Sequence, residues 1–207
     1  MNLPHFIYTI DTPKEITFTE KKSNFIAQVY SVENEEAVKV HLLEIKKKYY
    51  DASHNCYAYK FADENFRYSD AGEPSGTAGI RILNAIDHFH LANQLVIVIR
   101  YFGGTKLGVG LLGKTYYNAA YQVLEKSIIN TKHLFQKVKI FAEFDQISTV
   151  HRVLSNYQSV ILNDEYAKTV KFNCLLKIGE ISEILNKLTE MSKNKISAEK
   201  VEEFLYR

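Results

Sequence analysis

The sequence predicts an α+β protein of two domains, and three features of the chain support this. Eight of the nine glycines lie between Gly72 and Gly113, so the first part of the chain is rich in irregular backbone. Within that part, the continuous apolar stretch "NQLVIVIRYF" is typical of a strand that is buried on both faces of a sheet. The chain beyond it shows a regular alternation of strand and helix patterns. We therefore predict one domain over 1–128 and a second over 136–207, joined by a short linker.

The first domain is predicted to begin with two strands around a polar turn, in the stretch "ITFTEKKSNFIAQVYSV". A helix from Asn34 to Tyr50 follows, because apolar residues recur at helical spacing and the charges at its ends suit the helix dipole. The next elements are the strand "HNCYAYKF", the glycine-rich loop "RYSDAGEPSGTAG" and a short amphipathic helix. The buried strand comes after this helix, and a second glycine-rich stretch, "GGTKLG", leads into a long helix.

The second domain is predicted to follow the order strand, helix, strand, strand, helix, strand. Its first strand is "VKIFAEF", and Asp145 is placed to cap the helix that comes next. The two central strands form a hairpin that turns at 163–166, and a helix from Glu180 precedes the terminal strand "ISAEKVEEFL". This order of elements is that of the ferredoxin-like fold.

The composition is that of an ordinary globular protein. Hydrophobic residues make up 46% of the chain and charged residues 24%, and the net charge is +2. No apolar run approaches the roughly 20 residues of a membrane span, and the first residues lack the features of a signal peptide. We therefore expect a cytoplasmic protein with no membrane partner. The two cysteines each lie in a strand-like stretch, which predicts buried thiols and neither a disulfide framework nor a zinc site.

The near-neutral charge limits the ways in which this chain could bind nucleic acid. Basic and acidic residues are close to balanced in both parts of the chain, so bulk electrostatics would not hold it on a nucleic acid. Any such binding must use a local basic patch. We expect no DNA specificity.

The stretch "GVGLLGKT" (108–115) matches two nucleotide-binding patterns, the dinucleotide fingerprint and the phosphate loop. A phosphate loop follows its strand directly, whereas here the strand ends near Phe102 and "GGTKL" intervenes. The dinucleotide fingerprint needs an acidic residue about 20 positions later, where this chain has Thr131, Lys132 and His133. We therefore predict no cofactor, and we assign these glycines to positive φ and close backbone approach.

Polar side chains around the first glycine-rich loop leave an enzymatic alternative open. His54, Ser69, Asp70, Glu73 and Ser75 include possible acids, bases and nucleophiles. The sequence pairs no nucleophile with a base, and Asp70 also suits a tight turn. The histidines show no metal-ligand spacing. We predict no catalytic residue and no metal site, with a small-molecule hydrolase or transferase around Asp70 and Glu73 as the alternative.

Basic and aromatic residues beside the two glycine-rich loops are the better candidates for a binding site. Such side chains hold phosphates and stack on nucleic-acid bases. A structural role stays open for Arg100, as the ion-pair partner of Asp70 or Glu73. The candidate binding residues are Arg67, Asp70, Glu73, Ser75, Arg100, Tyr101, Lys106 and Lys114.

Three of these segments resemble the signature segments of the IMPACT family, in its bacterial YigZ-type form. They are "HNCYAYKF", "SDAGEPSGTAG" and "VIRYFGGTKLGVG", and "KKSNFIA" (21–27) is similar to an earlier characteristic stretch of that family. The family's glycine run usually has a glycine, an arginine and an alanine where this chain has Leu111, Lys114 and Thr115. The resemblance extends to about Lys126, and the second domain fits the family by its architecture.

The resemblance implies a first domain of the left-handed βαβ type, similar to domain IV of elongation factor G. It implies a second domain similar to the ferredoxin-like domain V of that factor. The pairing of these two domains implies RNA or the ribosome as a partner. A translation-associated protein is the other implied partner, since eukaryotic members act in translational control through protein partners. We therefore expect a non-catalytic RNA- or ribosome-binding protein with a role in the regulation of translation.

Overall fold

The computed structural model describes residues 3–207, which divide into two compact units. The first unit holds residues 7–131, and the second holds residues 132–207 together with residues 3–6. Backbone pairing accounts for the N-terminal residues of the second unit, since the N–H of Leu134 donates to the carbonyl of His5 at 2.9 Å. The sequence analysis placed residues 1–128 in the first domain, so the assignment of residues 3–6 to the second unit differs from the prediction. The predicted two-domain α+β class is confirmed.

Strands and helices of both units follow one another along the chain. The strands are β1 (Phe6–Thr9), β2 (Lys14–Glu20), β3 (Ser23–Ser31), β4 (His54–Lys60), β5 (Phe66–Ser69), β6 (Gln94–Tyr101), β7 (Asn130–Ala142), β8 (Ser159–Tyr166), β9 (Val170–Lys177) and β10 (Ser197–Tyr206). The helices are α1 (Glu35–Lys48), α2 (Gly79–His88), α3 (Val109–Glu125), α4 (Ile147–Leu154) and α5 (Ile181–Ser192). None of the helices within residues 3–207 is both long and apolar enough to cross a membrane.

The first unit is an antiparallel sheet with helices on both faces. Its strand order is β2-β3-β6-β4-β5, so β6 lies at the centre. Helices α2 and α3 pack on one face, around Phe25 and Tyr116, and α1 packs on the other face, around Val38. The predicted burial of the apolar strand on both faces is confirmed, because every residue of β6 from Gln94 to Arg100 is buried.

One end of this sheet collects much of the irregular backbone of the unit. Lys21 and Lys22 form the β2–β3 turn, and both have positive φ (44° and 69°), as tight two-residue hairpins favour. The register of β3 with β6 places this turn where β6 ends. The loops 70–78 and 102–108, which precede α2 and α3, begin at the same end of the sheet. We call the β2–β3 turn and these two loops the loop end.

The second unit has the ferredoxin-like arrangement. Of the five strands in its sheet, β10, β7, β9 and β8 lie in that order and are antiparallel to their neighbours. Helices α4 and α5 cover one face, where Val150, Ile184 and Leu188 pack against Ile140 and Phe172. The order of the elements and the order of the strands confirm the fold predicted for this domain.

Two local predictions in the second domain were wrong. Asp145 does not cap α4, because it lies in a 3-10 turn before the helix and its carboxylate pairs with Lys195 at 3.1 Å. The β8–β9 hairpin turns at 167–169, after the predicted position, because β8 continues up to that point. Asn163 is a typical turn residue, but here its side chain accepts a hydrogen bond from Asn173 across the hairpin at 2.8 Å.

Candidate functional site

Asp70 organises the loop 70–78 from the inside. Its carboxylate accepts three backbone hydrogen bonds, from Gly76 at 2.9 Å, from Ala78 at 2.9 Å and from Gly79 at 2.8 Å. The last two N–H groups lie at the start of α2, so the carboxylate also occupies the positive end of that helix. Asp70 is therefore engaged by the backbone of its own loop and supports the loop end from within.

Asp70→Asn should destabilise the N-terminal unit by about 1–2 kcal/mol at neutral pH, because an amide accepts through one oxygen only. Partial burial would raise the pKa of Asp70, but the hydrogen bonds from Gly76, Gly79 and Ala78 outweigh it and lower that pKa from its ordinary value of 3.8. The stabilisation is therefore present above about pH 4 and is lost as the pH falls through the lowered pKa.

Urea unfolding of wild type and Asp70→Asn from neutral to acid pH measures this contribution. The free energies of unfolding of the two proteins should converge at acid pH, because the carboxyl of Asp70 is then protonated and uncharged, like the amide that replaces it. A difference that stayed constant across the pH range would contradict a role for the charged carboxylate.

Glu73 and Arg100 form a buried ion pair beneath the loop end. Nη1 of Arg100 lies 2.6 Å from Oε1 of Glu73, and only 5% and 4% of the two side chains are exposed. The hydroxyl of Tyr116, on α3, donates to the same carboxylate oxygen at 2.7 Å. Nη2 of Arg100 donates to Oγ of Ser23 at 3.3 Å. The ion pair thus joins the loop 70–78, β6, α3 and the start of β3.

The structural role that the sequence left open for Arg100 is the one observed, with Glu73 rather than Asp70 as its partner. Sequence reasoning did not select Ser23 or Tyr116, which complete this buried network. Neither residue carries a local signal, since a serine after a turn and a tyrosine on the apolar face of a helix are common in any fold.

Cys56 and His54 lie on β4 beside the ion pair. Sγ of Cys56 donates to the carbonyl of Asp70 at 3.0 Å, and Nδ1 of His54 lies 3.0 Å from the carbonyl oxygen of Ala71. Burial raises the pKa of the Cys56 thiol to about 12, so the thiol is protonated at neutral pH and is a poor nucleophile. Within residues 3–207, no group of His, Cys, Asp and Glu side chains is arranged to hold a metal ion.

Lys106, Lys114 and Ser75 are the predicted residues that the structure brings to the surface of the loop end. Ser75 is exposed in the loop 70–78, and Lys106 is exposed in the loop 102–108. Lys114 is exposed on the second turn of α3. The two lysines are therefore available to a ligand at this end of the sheet.

Arg67 and Tyr101 are placed differently. Arg67 faces Tyr59 across the β4–β5 pairing, toward the opposite end of the sheet, so the structure does not bring it to the loop end. Tyr101 lies at the loop end but is half-buried, and its hydroxyl donates to Asp51 at 2.8 Å. Of the eight predicted residues, Asp70, Glu73 and Arg100 support the loop end from within, and Tyr101 is half-buried there. Ser75, Lys106 and Lys114 are exposed, and Arg67 lies elsewhere.

Two lysines that sequence reasoning missed belong to the loop end. Lys21 and Lys22 form the β2–β3 turn, and both are exposed. The turn packs closely against the loop 102–108 at Gly103. Only glycine fits there, because a Cβ at this position would overlap the carbonyl oxygen of Lys22. The signal in the sequence is a lysine pair at the tip of a predicted hairpin, but the loop that the pair meets lies far along the chain.

The "GVGLLGKT" stretch forms the start of α3 rather than a phosphate-binding loop. Because α3 begins at Val109, Gly113 and the two residues after it lie inside the helix, where N–H groups take part in helical hydrogen bonds. The hydroxyl of Thr115 donates to the carbonyl of Leu111, one turn back, at 2.7 Å. These groups do not form the backbone cradle that a phosphate loop needs.

Comparisons with known proteins match both units. The family model described as "Impact N-terminal domain" matches residues 21–124, and the model described as "Domain of unknown function (DUF1949)" matches residues 140–195. The chain is 27% identical to the IMPACT family member YigZ of Escherichia coli (strain K12), over 88% of this chain and 92% of that protein. It is 32% identical to an IMPACT family member of Haemophilus influenzae, over 85% of this chain and 87% of that protein.

A solved structure, described as the crystal structure of an hypothetical protein, is similar to this chain over nearly its whole length. The TM-score is 0.72 at 26% sequence identity, and the match covers 97% of this chain and 100% of that chain. The family match begins at the lysine pair of the β2–β3 turn and includes both loops of the loop end. The chain belongs to the IMPACT family.

Proposed function

We propose that this protein binds RNA, free or within the ribosome, and regulates translation without catalysing a reaction. The observation that carries the proposal is a set of exposed lysines, in the loop end and on the second turn of α3, that have no ion-pair partner among residues 3–207. They are Lys21, Lys22, Lys106 and Lys114. Lysines that are free of carboxylates release counterions from a phosphate backbone when they bind it, and this release drives association. Membership of the IMPACT family supports the translational role through the resemblance described above.

The described lysines of the second unit contrast with this set, since many of them are paired. The pairs are Lys137 with Glu203, Lys139 with Glu199, Lys171 with Glu165, Lys177 with Glu180, Lys187 with Glu183, and Lys195 with Glu143 and Asp145. A lysine that already neutralises a carboxylate adds little to the attraction of a phosphate. The local basic patch that RNA binding requires is therefore better supported at the loop end of the first unit.

The start of α3 adds to the positive potential of the loop end. Its first turn contains no acidic residue, and its N-cap, Gly108, has no side chain to accept from the helix. The partial positive charge of this helix end therefore has no compensation from its own cap or first turn, whereas Asp70 compensates that of α2. A phosphate held between Lys106 and Lys114 would gain from this helix end.

The alternative of a small-molecule enzyme has weaker support. The carboxylate of Asp70 is occupied by three backbone N–H groups, and that of Glu73 by Arg100 and Tyr116. A general acid or base must be able to reach a substrate proton. The carboxylates of Asp70 and Glu73 instead accept hydrogen bonds that stabilise the loop 70–78.

The alanine variants of Lys21, Lys22, Lys106 and Lys114 should each bind RNA several-fold more weakly than wild type at low salt. Each should also reduce the slope of log affinity against log salt by about 0.7, the value for one phosphate contact on a single strand. Fluorescence anisotropy with a labelled RNA over a salt titration measures both quantities. Co-sedimentation with ribosomes under the same salt series extends the measurement to assembled RNA.

Lys139→Ala provides the matched control, because it removes the same charge from a lysine that is paired with Glu199 in the second unit. It should leave the affinity and the salt slope close to those of wild type. RNA binding that is absent even at low salt would overturn the proposed function. So would binding that falls equally with Lys139→Ala and with the loop-end variants.

A further inference from the structure

Phe102 is an exposed aromatic residue whose backbone is held firmly at the loop end. Its N–H donates to Oγ of Ser53 at 3.0 Å, and the N–H of the next residue, Gly103, donates to Oγ of Ser23 at 3.2 Å. Gly103 also lies directly against the backbone of Lys22. Despite these constraints, 47% of Phe102 is exposed.

The ring of Phe102 is supported by the buried ion pair. Cζ of Arg100 lies 5.5 Å from the centroid of the Phe102 ring and 5.5 Å from that of the Phe25 ring. The guanidinium is fixed in turn by Glu73. The guanidinium therefore packs against the ring of Phe102 from the interior, and the rest of the ring is exposed to solvent. A ring held in this way is a flat apolar surface that loses little conformational freedom when it binds a ligand.

Two segments next to Phe102 carry exposed lysines without ion-pair partners in the described chain. The turn of Lys21 and Lys22 is in contact with Gly103, the residue after Phe102. Lys106 is exposed in the same loop as Phe102, four residues further along the chain. Proteins bind single-stranded nucleic acid with exposed aromatic rings next to cations, because bases stack on the ring while the cations hold the backbone.

We propose that the loop end recognises single-stranded RNA by stacking an unpaired base on Phe102, with Lys21, Lys22 and Lys106 on the phosphates beside it. The proposal rests on the proposed function and specifies its ligand. Bases inside a duplex are already stacked and paired, so only a single strand, a bulge or a loop presents a free base to this ring.

The first test compares a labelled single-stranded RNA with the same strand annealed to its complement, by fluorescence anisotropy on the full chain. Wild type should prefer the single strand. Phe102→Leu should weaken single-strand binding by about 5- to 100-fold, the range for loss of one stacked base. Phe102→Tyr keeps the ring and should restore most of the affinity.

Phe66→Leu is the matched control. Phe66 is 56% exposed in the same unit, but it lies opposite Lys60, at the other end of the sheet. The Phe66→Leu variant should bind the single-stranded RNA with wild-type affinity. Because stacking releases no counterions, Phe102→Leu should leave the salt slope unchanged, in contrast to the lysine variants.

A second measurement needs no substitution. Single-stranded RNA that carries 4-thiouridine should crosslink, on irradiation, to the peptide that contains Phe102 in the wild-type protein. A crosslink confined to other peptides, or equal binding by Phe102→Leu and wild type while the lysine variants bind weakly, would overturn the stacking proposal and leave RNA binding intact. Wild-type protein that binds neither RNA would overturn both proposals.

Discussion

Replacing Glu73 by alanine should lower the free energy of unfolding of the N-terminal unit by about 3–5 kcal/mol. The substitution leaves the guanidinium of Arg100 buried, with 5% of its side chain exposed, and without a carboxylate partner. It also removes the acceptor of the Tyr116 hydroxyl, and a buried donor without an acceptor adds to the cost. Arg100→Ala should also be strongly destabilising, because the buried Glu73 then loses its arginine and keeps only the Tyr116 hydroxyl and, at 3.8 Å, His54 beside its carboxylate.

Amide hydrogen exchange in β6, measured over a urea series, reports the stability of the unit that contains the pair. A double variant, Glu73→Leu with Arg100→Met, should recover much of the loss, because apolar residues of similar volume often replace a buried ion pair without net cost. Lys171→Ala is the control, since it breaks an exposed pair with Glu165 and should change stability far less. Equal losses in Glu73→Ala and Lys171→Ala would contradict the role of burial.

The buried pair also determines how a binding defect in an Arg100 variant is interpreted. From the sequence, Arg100 is a candidate to contact phosphate directly, in the same way as Lys106 and Lys114. In the structure its guanidinium is enclosed by Glu73, Ser23 and two aromatic rings. We therefore expect Arg100→Ala to weaken RNA binding by deforming the loop end, with a clear loss of stability, rather than by removing a phosphate contact.

Most of the fold could be predicted from local patterns in the sequence. The apolar run of β6, the helical spacing in α1 and the strand–helix order of the second domain each depend on residues that are close along the chain. Such patterns work because burial imposes a fixed period on each element. Strand β5 escaped prediction because its four residues lie in a stretch that also reads as a loop.

The candidate site was predictable only in part, for a physical reason. The two glycine-rich loops and the exposed Lys106 and Lys114 could be read directly from the sequence. The partner of Arg100 and the contribution of Lys21 and Lys22 depend on contacts between segments far apart along the chain, which no local pattern encodes. Asp70 shows a further limit, because a turn residue and a ligand-binding carboxylate look the same until the hydrogen-bond partners are known.

Gly103→Ala should disrupt the loop end directly. A Cβ at Gly103 would overlap the carbonyl oxygen of Lys22, and these backbone atoms have no rotamer into which they can move. The β2–β3 turn and the loop 102–108 must then separate, which we expect to lower the stability of the N-terminal unit by about 3 kcal/mol. RNA affinity should fall as well, because Lys21 and Lys22 are carried away from Phe102.

Gly110→Ala is the matched control for this prediction, because it makes the same chemical change nearby. Apart from its chain neighbours and the backbone of its own helix, no atom of residues 3–207 lies within 4 Å of a Cβ at Gly110. Its φ is not positive, and it lies in the first turn of α3. Alanine is the better helix former, so this variant should be stabilised by up to about 1 kcal/mol and should keep its RNA affinity. Urea unfolding should therefore shift in opposite directions for the two variants. A Gly103→Ala protein with wild-type stability would show that the turn and the loop do not pack together as described.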